Sequence, residues 1–80
     1  MDHNKAKVGT KVRFTKNTDQ AAMGTTGEII YMRGYNFENN VKIGRYCQVW
    51  IKKSLPAFGK APARITEYAV MATTQVLEII

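Results

Sequence analysis

The chain has 80 residues, 45% of them apolar, and 12 lysines and arginines against 6 acidic residues give it a net charge of +6. This length provides one domain and excludes a second core. The apolar fraction excludes disorder throughout. A single cysteine excludes an internal disulfide and fits a reducing compartment. No apolar run approaches the roughly twenty residues of a membrane-spanning helix, and the polar first residues lack the apolar core of a secretory signal. We therefore expect a cytoplasmic protein with no membrane partner.

Five short strands are predicted in chain order. Val12 and Phe14 alternate with charged residues, which is the period of a strand with one buried face. The later segments are rich in β-branched and aromatic residues, which favour extended structure. The predicted elements are a flexible tail over residues 1–7 and then one domain over 8–80, with strands over 11–15, 27–33, 45–51, 64–72 and 76–80 and a 3₁₀ turn over 73–75.

The connections are marked by glycine, asparagine and proline. A polar loop closes on Gly24-Thr25-Thr26-Gly27, and the glycine before the second strand, Gly27, turns the chain at little steric cost. Residues 34–44 hold two glycines and three asparagines, so we expect a loop or a hairpin tip there. Residues 52–63 hold Pro56 and Pro62, which cannot donate a backbone hydrogen bond, and predict a long, irregular, basic excursion.

A glycine pattern in the first third of the chain suggests a fold family. Gly9-x-x-Val12 followed by Gly24-x-x-Gly27-x-Ile29 resembles the first half of SH3-like barrels of the KOW type. The resemblance and the strand order imply an all-β protein, a small five-stranded SH3-like antiparallel barrel with a short 3₁₀ turn before the last strand. Family resemblance also implies a place in transcription or translation machinery, or in a mobile-element accessory protein.

The end of the chain is similar to the last two strands of other SH3-like proteins, including the small plasmid-encoded type II dihydrofolate reductases. In that family a Val-Gln-Ile-Tyr stretch lines the active pore of a tetramer. The matching stretch here is Ile65-Thr66-Glu67-Tyr68. Thr66 replaces the ligand-binding glutamine, and Glu67 introduces a charge where the family has an apolar residue. The resemblance therefore implies the fold without the reductase activity.

The candidate catalytic residues argue against an enzyme. A nucleophile needs a base within reach, but the only histidine, His3, lies in the predicted tail and Cys47 takes an inward strand position. Glu28 and Glu67 are expected to be surface acids that nothing brings together. No metal-ligand spacing and no phosphate-binding glycine loop leading into a helix are present. We expect no catalytic residue, no metal and no cofactor.

The middle of the chain points to a nucleic acid. Residues 39–66 hold six cations and no acid, and Lys and Arg bind polyanions by neutralising phosphates and releasing counterions. Nearby aromatic residues are candidates to stack on unpaired bases. RNA or DNA, bound through its backbone without sequence-specific readout, is therefore the first expectation. The candidate residues are Lys42, Arg45, Lys52, Lys53, Lys60, Arg64, Tyr35, Phe37 and Trp50.

A protein partner is the alternative. A small basic domain also docks on acidic protein surfaces, and SH3-like barrels often hold partners on aromatic loops. The predicted second strand has apolar residues on both faces, so its outer face is either covered within the fold or meets another chain, including a second copy. The candidate interface residues are Ile30, Met32, Leu55 and Phe58.

Overall fold

The structure, a computed structural model, describes residues 2–55, 57 and 59–80. Its elements are β1 (Lys11–Phe14), β2 (Thr26–Glu38), β3 (Val41–Leu55), β4 (Arg64–Thr73), the 3₁₀ turn (Thr74–Val76) and β5 (Leu77–Ile79). All five strands are antiparallel and form one sheet in the order β4-β3-β2-β1-β5. The predicted all-β class, the strand number and the 3₁₀ turn before the last strand are confirmed.

The core follows from alternation along the strands. Val12 and Phe14 of β1 are fully buried, while Lys11 and Arg13 between them are exposed. The odd-numbered residues 47–51 of β3 are buried in the same way, which defines an inner face of the sheet and, opposite it, an outer face. The buried apolar residues are Ala6, Val12, Phe14, Ala21, Ile29, Cys47, Val49, Ile51, Val70, Ala72 and Leu77.

Gly27 is required by close packing and not by a turn. A Cβ on this residue would lie 2.5 Å from Cγ1 of Val49 and 2.6 Å from the carbonyl oxygen of Trp50, closer than a side-chain carbon can approach. The left-handed turn is made earlier, at Gly24, whose φ is +90°. The sequence interpretation of Gly27 as a turn glycine is therefore wrong, because its role is to let β2 and β3 approach each other.

Strands β2 and β3 form one long hairpin. Its turn is made by Asn39 and Asn40, whose φ angles of 50° and 66° are those of a type I′ hairpin turn, a conformation that asparagine tolerates. Of the loop and the hairpin tip considered for residues 34–44, the hairpin tip is correct, but it is only these two residues long. Gly34 and Gly44 lie where the β2–β3 register shifts, so they mark bulges within the hairpin.

Strand β3 spans the length of the molecule. Its 15 residues extend over about 50 Å at about 3.3 Å per residue, and the longest dimension of the molecule is 54 Å. Two hairpin arms therefore point in opposite directions: the β2–β3 arm at the beginning of β3 and the β3–β4 arm at its end. The predicted irregular excursion over 52–63 begins as regular strand, because pairing with β4 continues to Leu55.

The N-terminal segment lies beside β2. Ala6 belongs to the core, and the Gly9 N–H donates a hydrogen bond to the Ile29 carbonyl oxygen at 2.7 Å. The His3 ring lies edge-on to the Tyr35 ring, with 5.8 Å between centroids and an interplanar angle of 84°. These contacts bring the segment predicted as a tail to the base of the β2–β3 arm.

Candidate nucleic-acid interface

Four of the predicted nucleic-acid-binding residues share one face of the β2–β3 arm. Tyr35 pairs with Arg45 and Phe37 pairs with Lys42 in the hairpin register. Residues that lie directly opposite each other in an antiparallel pair project from the same face. We call these four residues the hairpin site. Two strands and a two-residue turn therefore bring together aromatic rings and cations from both sides of the hairpin.

Tyr35 holds both cations of the hairpin site. The Lys42 Nζ atom lies 4.2 Å from the centroid of the Tyr35 ring, and the Arg45 guanidinium carbon lies 5.1 Å from it. Both distances are within the range of a cation–π contact. Arg45 is fixed further by a hydrogen bond of 2.7 Å from its Nε atom to the carbonyl oxygen of Arg33. Tyr35, predicted as a stacking residue, thus has its ring occupied by cations.

Phe37 is the open aromatic side chain of the hairpin site. It is 56% exposed, against 38% for Tyr35. A phenyl ring this exposed adds little to the stability of the fold, so it is available to a ligand.

The opposite face of the arm makes hydrogen bonds to the 3₁₀ turn and to β3. The Asn36 side chain donates to Oε1 of Gln75 at 3.0 Å and accepts from the Tyr46 hydroxyl at 3.5 Å.

No carboxylate neutralises the cations of the hairpin site in the part of the chain that the structure describes. The ion pairs found there join Lys11 to Glu28, Arg13 to Glu78 and Lys52 to Glu67. None of them includes Lys42 or Arg45. Glu38 is also on this arm, but it pairs with Val41 on the opposite face, so the face that holds Lys42 and Arg45 carries cations without an acid.

The remaining predicted cations lie at the other end of β3. Lys42 and Lys53 are eleven residues apart on one strand, which corresponds to about 36 Å. Lys53 and Arg64 lie on the inner face of the β3–β4 arm, the face that Arg45 also takes, whereas Lys52 points to the outer face. There Lys52 lies 3.9 Å from a carboxylate oxygen of Glu67. Lys60 is exposed beyond the paired strands. The predicted cations thus form two separate groups.

Trp50 belongs to neither group of cations. It lies on the outer face, opposite Glu28 of β2 and Ala69 of β4, and is partly exposed. It borders an open groove of about 310 Å³ that is also lined by Lys11 and Lys52. Both lysines already contact carboxylates, so this groove is a weaker anion site than the hairpin site.

The predicted protein-interface residues are separated by the structure. Ile30 is partly exposed beside a bulge, while Met32 packs against the core. The Leu55 side chain and Phe58 lie outside the described residues. The outer face also carries exposed apolar side chains that were not predicted as interface residues: Tyr31, Tyr46 and Met71. The bulge between Ile29 and Tyr31 turns Tyr31 to that face, and a bulge has no strong signal in a single sequence.

Cys47 and His3 occupy the positions of structural residues. Cys47 is fully buried, and its thiol donates to the Ala72 carbonyl oxygen at 3.5 Å. Burial raises the pKa of the Cys47 thiol to about 11, and the Arg45 charge offsets a smaller part of that rise. Within the described ranges, His, Cys, Asp and Glu form no group of three suited to a metal. The same residues contain no helix long and apolar enough to cross a membrane.

Comparison with known proteins gives no significant match to a protein family, a curated protein or a solved structure.

Proposed function

We propose that this protein is a non-enzymatic, cytoplasmic module that binds RNA or DNA through the hairpin site. One observation carries the proposal: Tyr35 holds Lys42 and Arg45 beside the exposed ring of Phe37, on one acid-free face of a projecting arm. An exposed lysine and a half-buried arginine next to an exposed aromatic ring suit a ligand that has both phosphates and base faces. The KOW-like glycine pattern supports the same assignment and suggests a role in transcription or translation, or in a mobile element.

Each residue of the hairpin site has a separate task in this proposal. Lys42 and Arg45 neutralise backbone phosphates and release counterions, which is the main source of affinity. Tyr35 restricts both cations before the ligand arrives, so less side-chain freedom is lost on binding. Phe37 stacks on a base, and stacking is tolerant of sequence because every base has a flat face. The module therefore binds without sequence-specific readout.

The second group of cations, Lys53, Lys60 and Arg64, lengthens the surface that a nucleic acid can contact. Lys53 and Arg64 take the same face of the sheet as Arg45, and Lys53 lies about 36 Å along β3 from Lys42. Lys60 is exposed near the same end. At about 3.4 Å per nucleotide, this distance corresponds to roughly ten nucleotides of a stacked strand. A ligand longer than that reaches both groups of cations, while a shorter one reaches only the hairpin site.

A salt series on labelled oligonucleotides tests the proposal. For four phosphate contacts on a single strand, log K falls against log salt with a slope of about −3. Lys42→Gln removes one contact, so the slope becomes shallower by about 0.7. The matched control is Lys16→Gln, which removes the same charge from an exposed position on the loop after β1, outside the hairpin site. Equal slopes for the two variants, or binding that is independent of salt, would contradict the proposal.

A protein-interaction function is the second candidate, and the outer face favours it. Tyr31, Tyr46, Trp50 and Met71 leave an exposed apolar and aromatic surface there. Such surfaces are typical of protein interfaces. The partner in this alternative is an acidic protein or a second copy of the chain. Substitution of Tyr31 and Trp50 by serine abolishes partner binding in this case and leaves nucleic-acid binding unchanged.

A further inference from the structure

Strand β4 is an edge of the sheet without the usual protection. Its ten residues pair with β3 in ten successive positions without a bulge. The sequence from Arg64 to Thr73 contains no lysine and no proline. Proteins normally block edge strands by shortness, bulges, lysine or proline, because unpaired backbone groups accept another strand. The opposite edge, β5, is protected in this way because it has only three residues.

The free side of β4 has no partner within the described part of the chain. There β4 pairs with β3 alone, and no other backbone hydrogen bond reaches it. Most of its first half is exposed, including Ile65 at 59%. Near Met71 and Thr73 the strand borders an open groove whose far side is formed by residues 18–20. The edge is therefore accessible to an added strand.

We propose that β4 pairs with β4 of a second copy of this chain to form a continuous antiparallel sheet. Two equal edge strands are brought side by side in antiparallel orientation by a two-fold axis perpendicular to the sheet. This axis keeps every side chain on its own face, so a residue lies opposite a residue of the same face. The register is then defined by the residue through which the axis passes.

The axis passes through Tyr68. Ile65 and Met71, the large apolar residues on the outer face of β4, lie three positions before and three positions after Tyr68. With this axis, Ile65 of each copy lies opposite Met71 of the other, and both side chains lose exposed apolar surface. The overlap extends from residue 64 to residue 72, nearly the whole strand.

Charge selects the same register. Arg64 and Glu67 are the only charged residues of β4, and with the axis at Tyr68 each of them lies opposite an alanine, Ala72 or Ala69. An axis at Glu67 sets two carboxylates directly opposite each other, which is destabilising. An axis at Thr66 sets Glu67 opposite Ile65 and leaves a carboxylate against an apolar side chain. With the axis at Tyr68, the apolar residues of β4 lie opposite each other and its charged residues lie opposite alanines. This match between two copies of β4 favours a second copy of the chain over an unrelated peptide.

Single and compensating charges at Ile65 and Met71 test the register. Light scattering of the native chain is expected to give twice the 9.0 kDa monomer mass at about 200 µM and to approach the monomer mass on dilution. Ile65→Lys and Met71→Glu each set a charge opposite an apolar side chain twice per dimer and weaken self-association at least about tenfold. The double variant sets opposite charges across the axis and restores the dimer. The control Val8→Lys adds the same charge at an exposed site and leaves the dimer unchanged.

A crosslink gives a readout that does not depend on the charged variants. Tyr68→Cys brings two thiols together at the axis, and oxidised glutathione joins them in a disulfide between the copies. Val8→Cys is the control and runs at the monomer mass on a denaturing, non-reducing gel, since its new thiol lies away from the axis and the native Cys47 is buried. A native chain that is monomeric at every concentration overturns the proposal. So does a larger open-ended assembly, a double variant that fails to recover, or equal crosslinking at Val8 and Tyr68.

Discussion

The Lys42 ammonium lies 4.2 Å from the centre of the Tyr35 ring, on the arm that carries the hairpin site. A cation held over an aromatic face keeps its charge but loses part of its freedom. The same ring lies 5.1 Å from the Arg45 guanidinium carbon. One aromatic side chain thus positions two phosphate-binding groups, which leads to a specific prediction about its replacement.

Tyr35→Leu is expected to weaken nucleic-acid binding although it removes no charge. A cation–π contact at an exposed site contributes about 0.5–1 kcal/mol, so the loss of two contacts, about 1–2 kcal/mol, lowers affinity roughly five- to thirtyfold. Tyr35→Phe keeps the ring and serves as the matched control, with affinity close to native. Fluorescence anisotropy on a labelled single strand gives the comparison. Stronger binding by Tyr35→Leu would mean that the ring masks the cations.

Phe37→Ala is expected to lower the affinity for nucleic acid by about 1–3 kcal/mol, the usual contribution of one stacked base. Binding of the same variant to polyphosphate, which has no bases, stays at the native value. Val41→Ala is the control, because Val41 is also exposed near the hairpin tip but pairs with Glu38 on the other face. An equal loss for nucleic acid and polyphosphate would show that Phe37 shapes the arm and does not stack.

Gly27→Ala is expected to destabilise the fold by about 1–3 kcal/mol, the usual cost of overpacking a core. The added carbon meets the Trp50 carbonyl oxygen, which is part of the backbone and cannot rotate away. Gly34→Ala is the control, since an added carbon there has open space and the backbone takes no left-handed angle. Urea denaturation measures both free energies of unfolding. Equal stability of the two variants would contradict the close approach of β2 and β3.

The Cys47 thiol is expected to make stability fall with pH in the alkaline range. Its pKa is raised from 9.0 to about 11 in the folded chain. The unfolded chain therefore releases this proton at lower pH than the folded chain does. The contribution of the Cys47 thiol to the free energy of unfolding is complete below about pH 9 and is lost between about pH 9 and 11. The shift of two pKa units corresponds to about 2–3 kcal/mol.

The measurement for Cys47 compares urea denaturation at pH 8 and pH 10 in the native chain and in Cys47→Ala. The alanine variant has lower stability because a small cavity remains, but it lacks the thiol's share of the pH dependence. The two proteins share every other ionisable side chain, so the difference isolates Cys47. The same pH dependence in both proteins would contradict the assignment.

Sequence reasoning succeeded where alternation or composition sets the structure. The alternation of Val12 and Phe14 with charged residues predicted the buried face of β1. The lack of acidic residues in the sequence around Lys42 and Arg45 predicted the positive charge of the hairpin site. It failed where a long-range pairing decides the outcome. The segment from Gly34 to Gly44 has the composition of a loop, yet both glycines lie at bulges between paired strands. Strand pairing overrides the local preference of the segment.

The division of the cations into two groups also required the structure. A single sequence does not reveal that β3 continues to Leu55, so the distance between Lys42 and Lys53 was hidden. Glu67 lies just outside the acid-free stretch of sequence, but the β3–β4 register places it opposite Lys52. The cation–π contacts of Tyr35 with Lys42 and Arg45 likewise depend on the hairpin register and have no local sequence signal.

A backbone-amide NMR titration with a fifteen-nucleotide single strand of mixed sequence tests most directly the claim that nucleic acid binds at the hairpin site. The amide signals of Tyr35, Phe37, Lys42 and Arg45 are expected to shift first and furthest, with smaller shifts at Lys53 and Arg64. Shifts confined to the outer face around Tyr31 and Trp50, or no shifts at about 0.1 M salt, would contradict the claim.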